Sequence, residues 1–209
     1  MLRLIPFFCV LTILSALPNH SAEAADPAGR VAKLKGDAFV TWGSGRRELD
    51  VGAAIISSDV IETGADSRLE LLMVDGAVLT LGEQAVFNIE DYVFDKSAKQ
   101  GSAVMTVVEG AFRAVSGALA SVPGQPFTVH TPVATIGIRG TDFWGGPIDG
   151  VYNSALLGGA AIFVENGAGR VEINNVGYGT TITSPNIAPT LPVLWDPTKM
   201  QRATDATNF

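Results

Sequence analysis

The stretch RLELLMVDGAVLTLG, residues 68–82, decides the fold class of this chain. Its first half alternates, with Leu69 and Leu71 on one side and charged residues on the other. This period of two is typical of a half-buried β-strand. Asp75-Gly76 is a strong tight-turn dipeptide, and an apolar run resumes directly after it. The stretch therefore predicts a β-hairpin.

The same organisation continues on both sides of this hairpin. Short β-prone runs are separated by glycine corners, and Gly52, Gly64 and Gly76 lie twelve residues apart. Glycine takes positive φ without steric cost, so the chain can reverse at such positions. We expect residues 29–183 to form one all-β domain of short strands, arranged as a β-solenoid or a sandwich.

Only two short segments predict helices. Residues 114–121 are rich in alanine, and residues 197–206 follow Asp196, a good N-cap, with Pro197 at the first helical position. Prolines are frequent in residues 184–197, which therefore should not join a central strand. We expect residues 184–209 to form a proline-rich C-terminal arm with a short helix.

The composition excludes some classes of protein. The chain has 209 residues, 47% of them hydrophobic and 17% charged, and a formal net charge of −7. It is too apolar for a disordered chain and too acidic for a general nucleic-acid binder. We therefore expect no nucleic-acid partner.

The N-terminus has the layout of a secretory signal. Arg3 precedes an apolar run over residues 4–17, and small residues follow at 21–25. The run is shorter than the roughly 20 residues of a membrane anchor. We expect residues 1–24 to be a cleaved signal peptide and the mature protein to be soluble, in a Gram-negative periplasm or secreted. Cys9, the only cysteine, would be lost, which excludes thiol chemistry and disulfides.

The search for catalytic and metal-binding residues returns no convincing cluster. His130 is the only histidine after residue 24, and it lies in an alternating strand without a Gly-x-Ser-x-Gly elbow elsewhere. One histidine and no cysteine leave only carboxylates for zinc. The glycine-rich turn at residues 165–170 has Arg170 where a calcium ligand would be needed, and a hairpin turn explains it. We predict no catalytic residue, no cofactor and no metal site.

One local cluster combines an aromatic side chain with basic ones. The turn at residues 43–45 is flanked by Trp42, Arg46 and Arg47. These side chains could bind an acidic partner or stack on a sugar. The alternative binding surface for such a ligand consists of Phe143 and Trp144. We take Trp42, Arg46, Arg47 and Trp144 as candidate partner-binding residues.

Three ordered stretches resemble the FecR domain family, the periplasmic portion of iron-dicitrate-type sensor regulators. They are Leu49-Asp50-Val51-Gly52 with Ser58-Asp59-Val60-Ile61-Glu62-Thr63-Gly64, then Ser67-Arg68-Leu69-Glu70-Leu71 with Asp75-Gly76-Ala77-Val78-Leu79-Thr80-Leu81-Gly82, and finally Thr131-Pro132-Val133-Ala134-Thr135-Ile136-Gly137-Ile138-Arg139-Gly140-Thr141-Asp142-Phe143. The likeness covers roughly residues 36–144.

The resemblance implies an all-β fold in which the motif residues have structural roles. These residues are Gly52, Asp59, Thr63, Gly64, Asp75, Gly76, Thr131, Pro132, Arg139, Gly140, Thr141 and Phe143. We expect Gly140-Thr141 to make a corner that returns Phe143 to the core. Arg139 is assigned a buried hydrogen-bonding role at that corner, with contact to a ligand as the alternative.

The chain departs from the family's regulators in one respect. Those regulators carry a cytoplasmic anti-sigma segment and a transmembrane helix, and here a secretory signal stands in their place. The resemblance therefore implies a non-catalytic exported β module that binds a protein or envelope partner, in signalling or in iron-related regulation. We expect strand addition at an exposed sheet edge as the contact mode. Binding of a small ligand or glycan is the alternative, a hydrolase centred on His130 is a third possibility, and the oligomeric state is open.

Overall fold

The computed structural model describes residues 26–124 and 127–209, and strands make up most of them. The first eight strands are β1 (Pro27–Lys35), β2 (Ala38–Trp42), β3 (Gly45–Glu48), β4 (Ala54–Ile56), β5 (Val60–Thr63), β6 (Arg68–Met73), β7 (Val78–Leu81) and β8 (Val86–Asp95). The next eight are β9 (Gln100–Glu109), β10 (Phe112–Val115), β11 (Phe127–His130), β12 (Thr135–Ile148), β13 (Val151–Asn166), β14 (Gly169–Ile173), β15 (Tyr178–Ile182) and β16 (Val193–Leu194). A 3₁₀ turn covers Ala118–Ser121, and the helix α1 covers Pro197–Asp205. The all-β prediction with a minor C-terminal helix is confirmed. The predicted signal peptide lies outside the described residues.

The strands form one curled sheet in the order β3-β2-β5-β8-β9-β11-β12-β10-β7-β6-β1-β4. β12 lies in the middle of this order, and its first half pairs with β11 while its second half pairs with β10. The two limbs of the sheet therefore extend from β12 and end at β3 and β4. Residues 49–53 connect these two terminal strands. β3 and β4 do not pair with each other in the described sheet, so the curled sheet has an open side between them.

The hairpin predicted from residues 68–82 is present as β6 and β7. Inward and outward positions alternate along β6, and the Gly76 N–H donates to the Met73 carbonyl at 3.0 Å. Gly76 has φ +85°, the left-handed conformation that ends a three-residue hairpin loop. The second predicted hairpin, at residues 165–170, is also confirmed, because Asn166 pairs with Gly169 between β13 and β14.

Two apolar clusters lie on opposite faces of β12. Phe143 is fully buried in the large cluster inside the curl, where its ring meets Phe112 edge-on at 5.5 Å. The next residue, Trp144, points the other way and is covered by Trp195 and α1 in a smaller cluster. The two tryptophan rings also meet edge-on, with centroids 6.2 Å apart. The C-terminal arm thus packs on the outside of the sheet.

The two predicted helices have different outcomes. The C-terminal helix is present, and Asp196 Oδ1 accepts a hydrogen bond from the Lys199 N–H at 3.0 Å, as an N-cap does. The helix predicted at residues 114–121 is wrong. Phe112–Val115 forms β10 instead, because it pairs with β7 on one side and β12 on the other. None of the helices in the described parts of the chain has the length and apolar composition that crossing a bilayer requires.

Candidate functional site

Several motif residues close turns at the sheet corners. Gly52, in the turn between β3 and β4, has φ +91°, a conformation that side chains disfavour. Asp59 Oδ2 accepts a hydrogen bond from the Ile56 N–H at 2.9 Å, which closes the turn between β4 and β5. The Gly64 N–H donates to the Asp37 carbonyl at 2.9 Å and ties two corners together.

Thr63 joins β5 to the turn between β7 and β8. Its buried hydroxyl donates to the Gly82 carbonyl at 2.7 Å and accepts from the Ala85 N–H at 2.8 Å. A single side chain therefore satisfies two backbone groups that the core would otherwise leave unpaired.

Asp75 connects three parts of the fold through its side chain. Its Oδ1 accepts from the Ala77 N–H at 3.0 Å and from the Tyr92 hydroxyl at 2.7 Å, and its Oδ2 accepts from the Leu119 N–H at 3.0 Å. The carboxylate is 7% exposed and joins the β6–β7 hairpin to β8 and to the 3₁₀ turn. Burial, together with this carboxylate, raises the pKa of Tyr92 above its usual value.

The third motif stretch forms the turn before β12 and the start of that strand. The Thr131 hydroxyl accepts from the Ala134 N–H at 3.0 Å and holds the turn in which Pro132 is exposed. Thr141 is buried, and its hydroxyl donates to the Gly158 carbonyl at 2.9 Å. β12 continues through Gly140 to Phe143, with φ +56° at Gly140 and a register shift between Asp142 and Phe143. The expected corner at Gly140-Thr141 is therefore an irregularity within one continuous strand, and Phe143 lies in the core as expected.

The buried role assigned to Arg139 is wrong. Its side chain is exposed, and its guanidinium lies over the Phe163 ring, 5.2 Å from the centroid. Arg170 lies over the same ring at 4.2 Å. Residue 139 is therefore a surface position, and Thr141 supplies the buried hydrogen bond of this segment instead.

Trp144 is not available to a partner. It is 0% exposed, because the C-terminal arm places Trp195 and α1 over it. Phe143 is equally buried, so the two residues cannot form the floor of a ligand site. Adjacent residues of a strand point to opposite faces, so two neighbouring large aromatic residues indicate a strand that is covered on both faces. The sequence itself contains this signal.

The remaining candidate residues lie together on the β2–β3 hairpin. Trp42 is 56% exposed and its indole lies over Gly45, where a Cβ would come within 2.4 Å of the ring. The Arg46 guanidinium stacks on the Phe39 ring, 3.5 Å from its centroid. Arg47 reaches the Ala54 carbonyl of β4 at 3.4 Å. Trp42, Arg46 and Arg47 thus border the open side of the sheet.

The outer edge of β3 has unpaired backbone groups. Among the strands of the described residues β3 pairs only with β2, and the Leu49 N–H donates to the Ala38 carbonyl at 2.8 Å. Bonded and non-bonded pairs alternate in an antiparallel ladder, so Arg47 pairs with β2 whereas Arg46 and Glu48 point their N–H and C=O groups away. We call this row, Arg46 to Glu48, the β3 edge. Sequence reasoning missed Glu48, although its position two residues after Arg46 places both on one face.

A second edge, at β16, is less suited to strand addition. Val193 and Leu194 are exposed, and of the described strands only β15 pairs with β16. The Trp195 N–H donates to the Gly177 carbonyl at 3.0 Å, so the outward positions are Leu194 and Pro192. Proline has no N–H, and this edge is therefore partly blocked.

His130 does not belong to a triad. Its Nδ1 is 3.1 Å from the Thr135 hydroxyl, across the β11–β12 pair. Among the described residues, no carboxylate hydrogen-bonds to this imidazole, and no three potential metal ligands gather in one place.

A polar cleft separates α1 from the tip of the β12–β13 hairpin. It has a volume of about 320 Å³ and is lined by Ile148, Asp149, Val151, Asn153, Thr181, Asp196, Thr198, Lys199 and Arg202. Lys199 Nζ donates to Asn153 Oδ1 at 2.9 Å, and burial lowers the pKa of this lysine. Arg202 makes two hydrogen bonds to Asp149, at 2.7 and 3.0 Å. No local sequence pattern indicates this cleft, because its residues come from separate segments.

Comparisons with known proteins agree with the fold. A family model described as FecR protein matches residues 59–168, just over half of the chain. Two crystal structures of a candidate anti-sigma factor from Parabacteroides distasonis are similar, with TM-scores of 0.54 and 0.52 and sequence identities of 16% and 17%. Each covers 68% of this chain, which spans 62% of the length of the solved chain. No curated protein matches the sequence. At these identities the two structures show a shared fold.

Proposed function

This chain belongs to the FecR protein family, and from that premise we propose that it is a non-catalytic regulatory module of the cell envelope that binds a protein partner. The family resemblance read from the motifs is confirmed by the matched region. The solved structures that share the fold carry the description of an anti-sigma factor, which supports a signalling role. Iron-related regulation is the narrower form of this proposal.

The β3 edge is the observation that carries the proposal. Most motif residues form turns, buried hydrogen bonds or core contacts, so they stabilise the fold and are not available to a partner. At the β3 edge, by contrast, two residues direct unpaired N–H and C=O groups outward beside an exposed tryptophan. An extended segment of a partner would gain main-chain hydrogen bonds there, and Trp42 with Arg46 would supply side-chain contacts.

The test is a proline at an outward position of this edge. Glu48→Pro removes an outward N–H and leaves the bond between Arg47 and β2 in place. We expect partner capture from an envelope extract to fall about tenfold, since a hydrogen bond and the fit of the added strand are lost together. Glu48→Ala keeps the N–H and should retain capture.

Glu172→Pro is the matched control on another edge. In the part of the chain that the structure describes, β14 pairs with β13 alone, across a two-residue turn, and Glu172 likewise points its N–H outward. This variant should capture the partner as the parent protein does. Unchanged capture by Glu48→Pro, with an unchanged thermal midpoint, contradicts strand addition at β3. Comparing extracts from iron-replete and iron-starved cells tests the narrower role.

A second candidate function is binding of a small polar ligand in the cleft beside α1. The cleft has two cationic and two anionic side chains, so a neutral, hydroxyl-rich ligand such as a sugar fits it better than an ion. Free monosaccharides and oligosaccharides should then raise the free energy of unfolding by about 2.7 kcal/mol at 100 times Kd. The thermal midpoint of the protein should rise with it. Lys199→Met should abolish the shift, and an unmoved midpoint across the panel contradicts this function.

A further inference from the structure

We propose that the β3 edge also binds a second copy of this chain, in an antiparallel two-fold pair centred on Arg47. This inference goes beyond the proposed function, because it needs no other protein. The feature that carries it is the order of charges in Arg46-Arg47-Glu48 on an edge strand whose outer side pairs with no strand of residues 26–124 and 127–209.

The backbone of β3 fits such a pair. A two-fold axis at Arg47 places Arg46 opposite Glu48 of the second copy, and Glu48 opposite its Arg46. Both residues direct their N–H and C=O groups outward. Two residues that face each other in this way exchange both hydrogen bonds in an antiparallel ladder. The register therefore gives four main-chain hydrogen bonds without a shift or a bulge.

The side chains are complementary in the same register. Arg46 and Glu48 lie on the same face of β3, since they are two residues apart. Each would oppose a side chain of opposite charge in the second copy, which stabilises a cross-strand pair. Among the described residues neither has an ion-pair partner within its own chain, so these charges are free to pair.

Two neighbouring side chains bear on the arrangement. Stacking on Phe39 places the Arg46 guanidinium over β2, on the same face as Glu48, and in the pair it turns toward the outer edge to reach Glu48 of the second copy. Arg47 would lie opposite Arg47 of the second copy, which places like charges together. However, each Arg47 guanidinium reaches the Ala54 carbonyl of its own chain across the open side of the sheet. The like charges are therefore directed back toward their own chains.

The pair is small, and we expect it to be weak. Its edge has only the residues of one short strand, well below the area of a stable dimer. Self-association is therefore expected at concentrations of about 10 μM to about 1 mM, measured by sedimentation equilibrium on the purified protein.

Charge exchange provides the test. Arg46→Glu alone and Glu48→Arg alone each place like charges opposite one another twice, and each should weaken the dimer about 30-fold. The double variant Arg46→Glu/Glu48→Arg restores opposite charges and should dimerise as the parent protein does. A mixture of the two single variants should form a heterodimer, because each supplies the charge that the other lacks.

The outcomes are distinct. A monomeric parent protein at the highest concentration overturns the inference, and so does a dimer that both single variants retain. Failure of the double variant to recover, with its thermal midpoint unchanged, also overturns it. A protein that dimerises but captures no envelope partner upholds this inference and contradicts the proposed function, and a monomer that captures one does the reverse.

Discussion

Replacing Asp75 by alanine should remove a large share of the stability of the fold. The carboxylate accepts hydrogen bonds from the Ala77 N–H, the Tyr92 hydroxyl and the Leu119 N–H. All three partners are at most 3% exposed, so water does not readily replace the lost acceptor. Leaving a buried donor unsatisfied costs about 1–3 kcal/mol.

The expected loss for Asp75→Ala is about 4 kcal/mol, taking two of the three donors as fully orphaned. Native domains have about 5–15 kcal/mol in total, so this is a substantial share. For a chain of this length the thermal midpoint should fall by about 8–16 °C. Calorimetry or thermal melting monitored by circular dichroism measures the shift.

Tyr92→Phe is the matched variant. It removes one donor and leaves the two backbone donors of Asp75 satisfied, so it should cost about 1 kcal/mol. In the double variant Asp75→Ala/Tyr92→Phe the loss should be smaller than the sum of the two single losses, because the hydroxyl is no longer orphaned. A loss below about 1 kcal/mol for Asp75→Ala, with partner capture abolished, would refute the structural reading of this motif.

Two further predictions concern the C-terminal arm and the buried phenols. Trp195→Ala should cost about 3–5 kcal/mol and shift the fluorescence of Trp144 to longer wavelength as that ring becomes exposed, whereas Trp42→Ala should change stability little; equal effects contradict the packing. Burial raises the pKa of both Tyr92 and Tyr152 above the usual value of about 10, so ionisation favours the unfolded chain. The stability that the two buried, un-ionised phenols contribute is fully present below a pH of about 10 and is lost as the pH rises further. Tyrosinate absorbance of these two residues should therefore appear only together with unfolding, and their free titration near the usual pKa contradicts the burial.

Local signals were sufficient for the hairpins and the C-terminal helix. Asp75-Gly76 predicts a turn because glycine alone takes the required φ easily, and Asp196 with Pro197 starts a helix through capping. These effects depend on a few neighbouring residues, and the sequence contains them directly.

Long-range packing explains the errors. The alanine-rich run after Phe112 has helical propensity, but two flanking strands provide hydrogen bonds that override it. Trp144 was expected at the surface, and a segment about fifty residues later covers it. β12 and β13 continue through their glycines. Gly159 is needed there, because a Cβ at this position would come within 2.3 Å of the Gly140 carbonyl oxygen.

The candidate site was predictable in part. Trp42, Arg46 and Arg47 could be chosen because an aromatic and two basic residues adjoin a glycine turn. That their strand is the end of the sheet depends on the complete strand order, which no local pattern gives. For the same reason the outward groups of Glu48 became visible only in the structure.

Residue-resolved amide exchange across β3 tests whether the outer edge of this strand binds the partner. In the dilute free protein the Arg47 N–H, which pairs with β2, should exchange slowly, and the Arg46 and Glu48 N–H groups should exchange fast. When the captured envelope partner is added, we expect the Arg46 and Glu48 amides to become protected while the outward amides of β14 do not change. Protection confined to β14 or to the cleft beside α1, with Arg46 and Glu48 still exchanging fast, would contradict it.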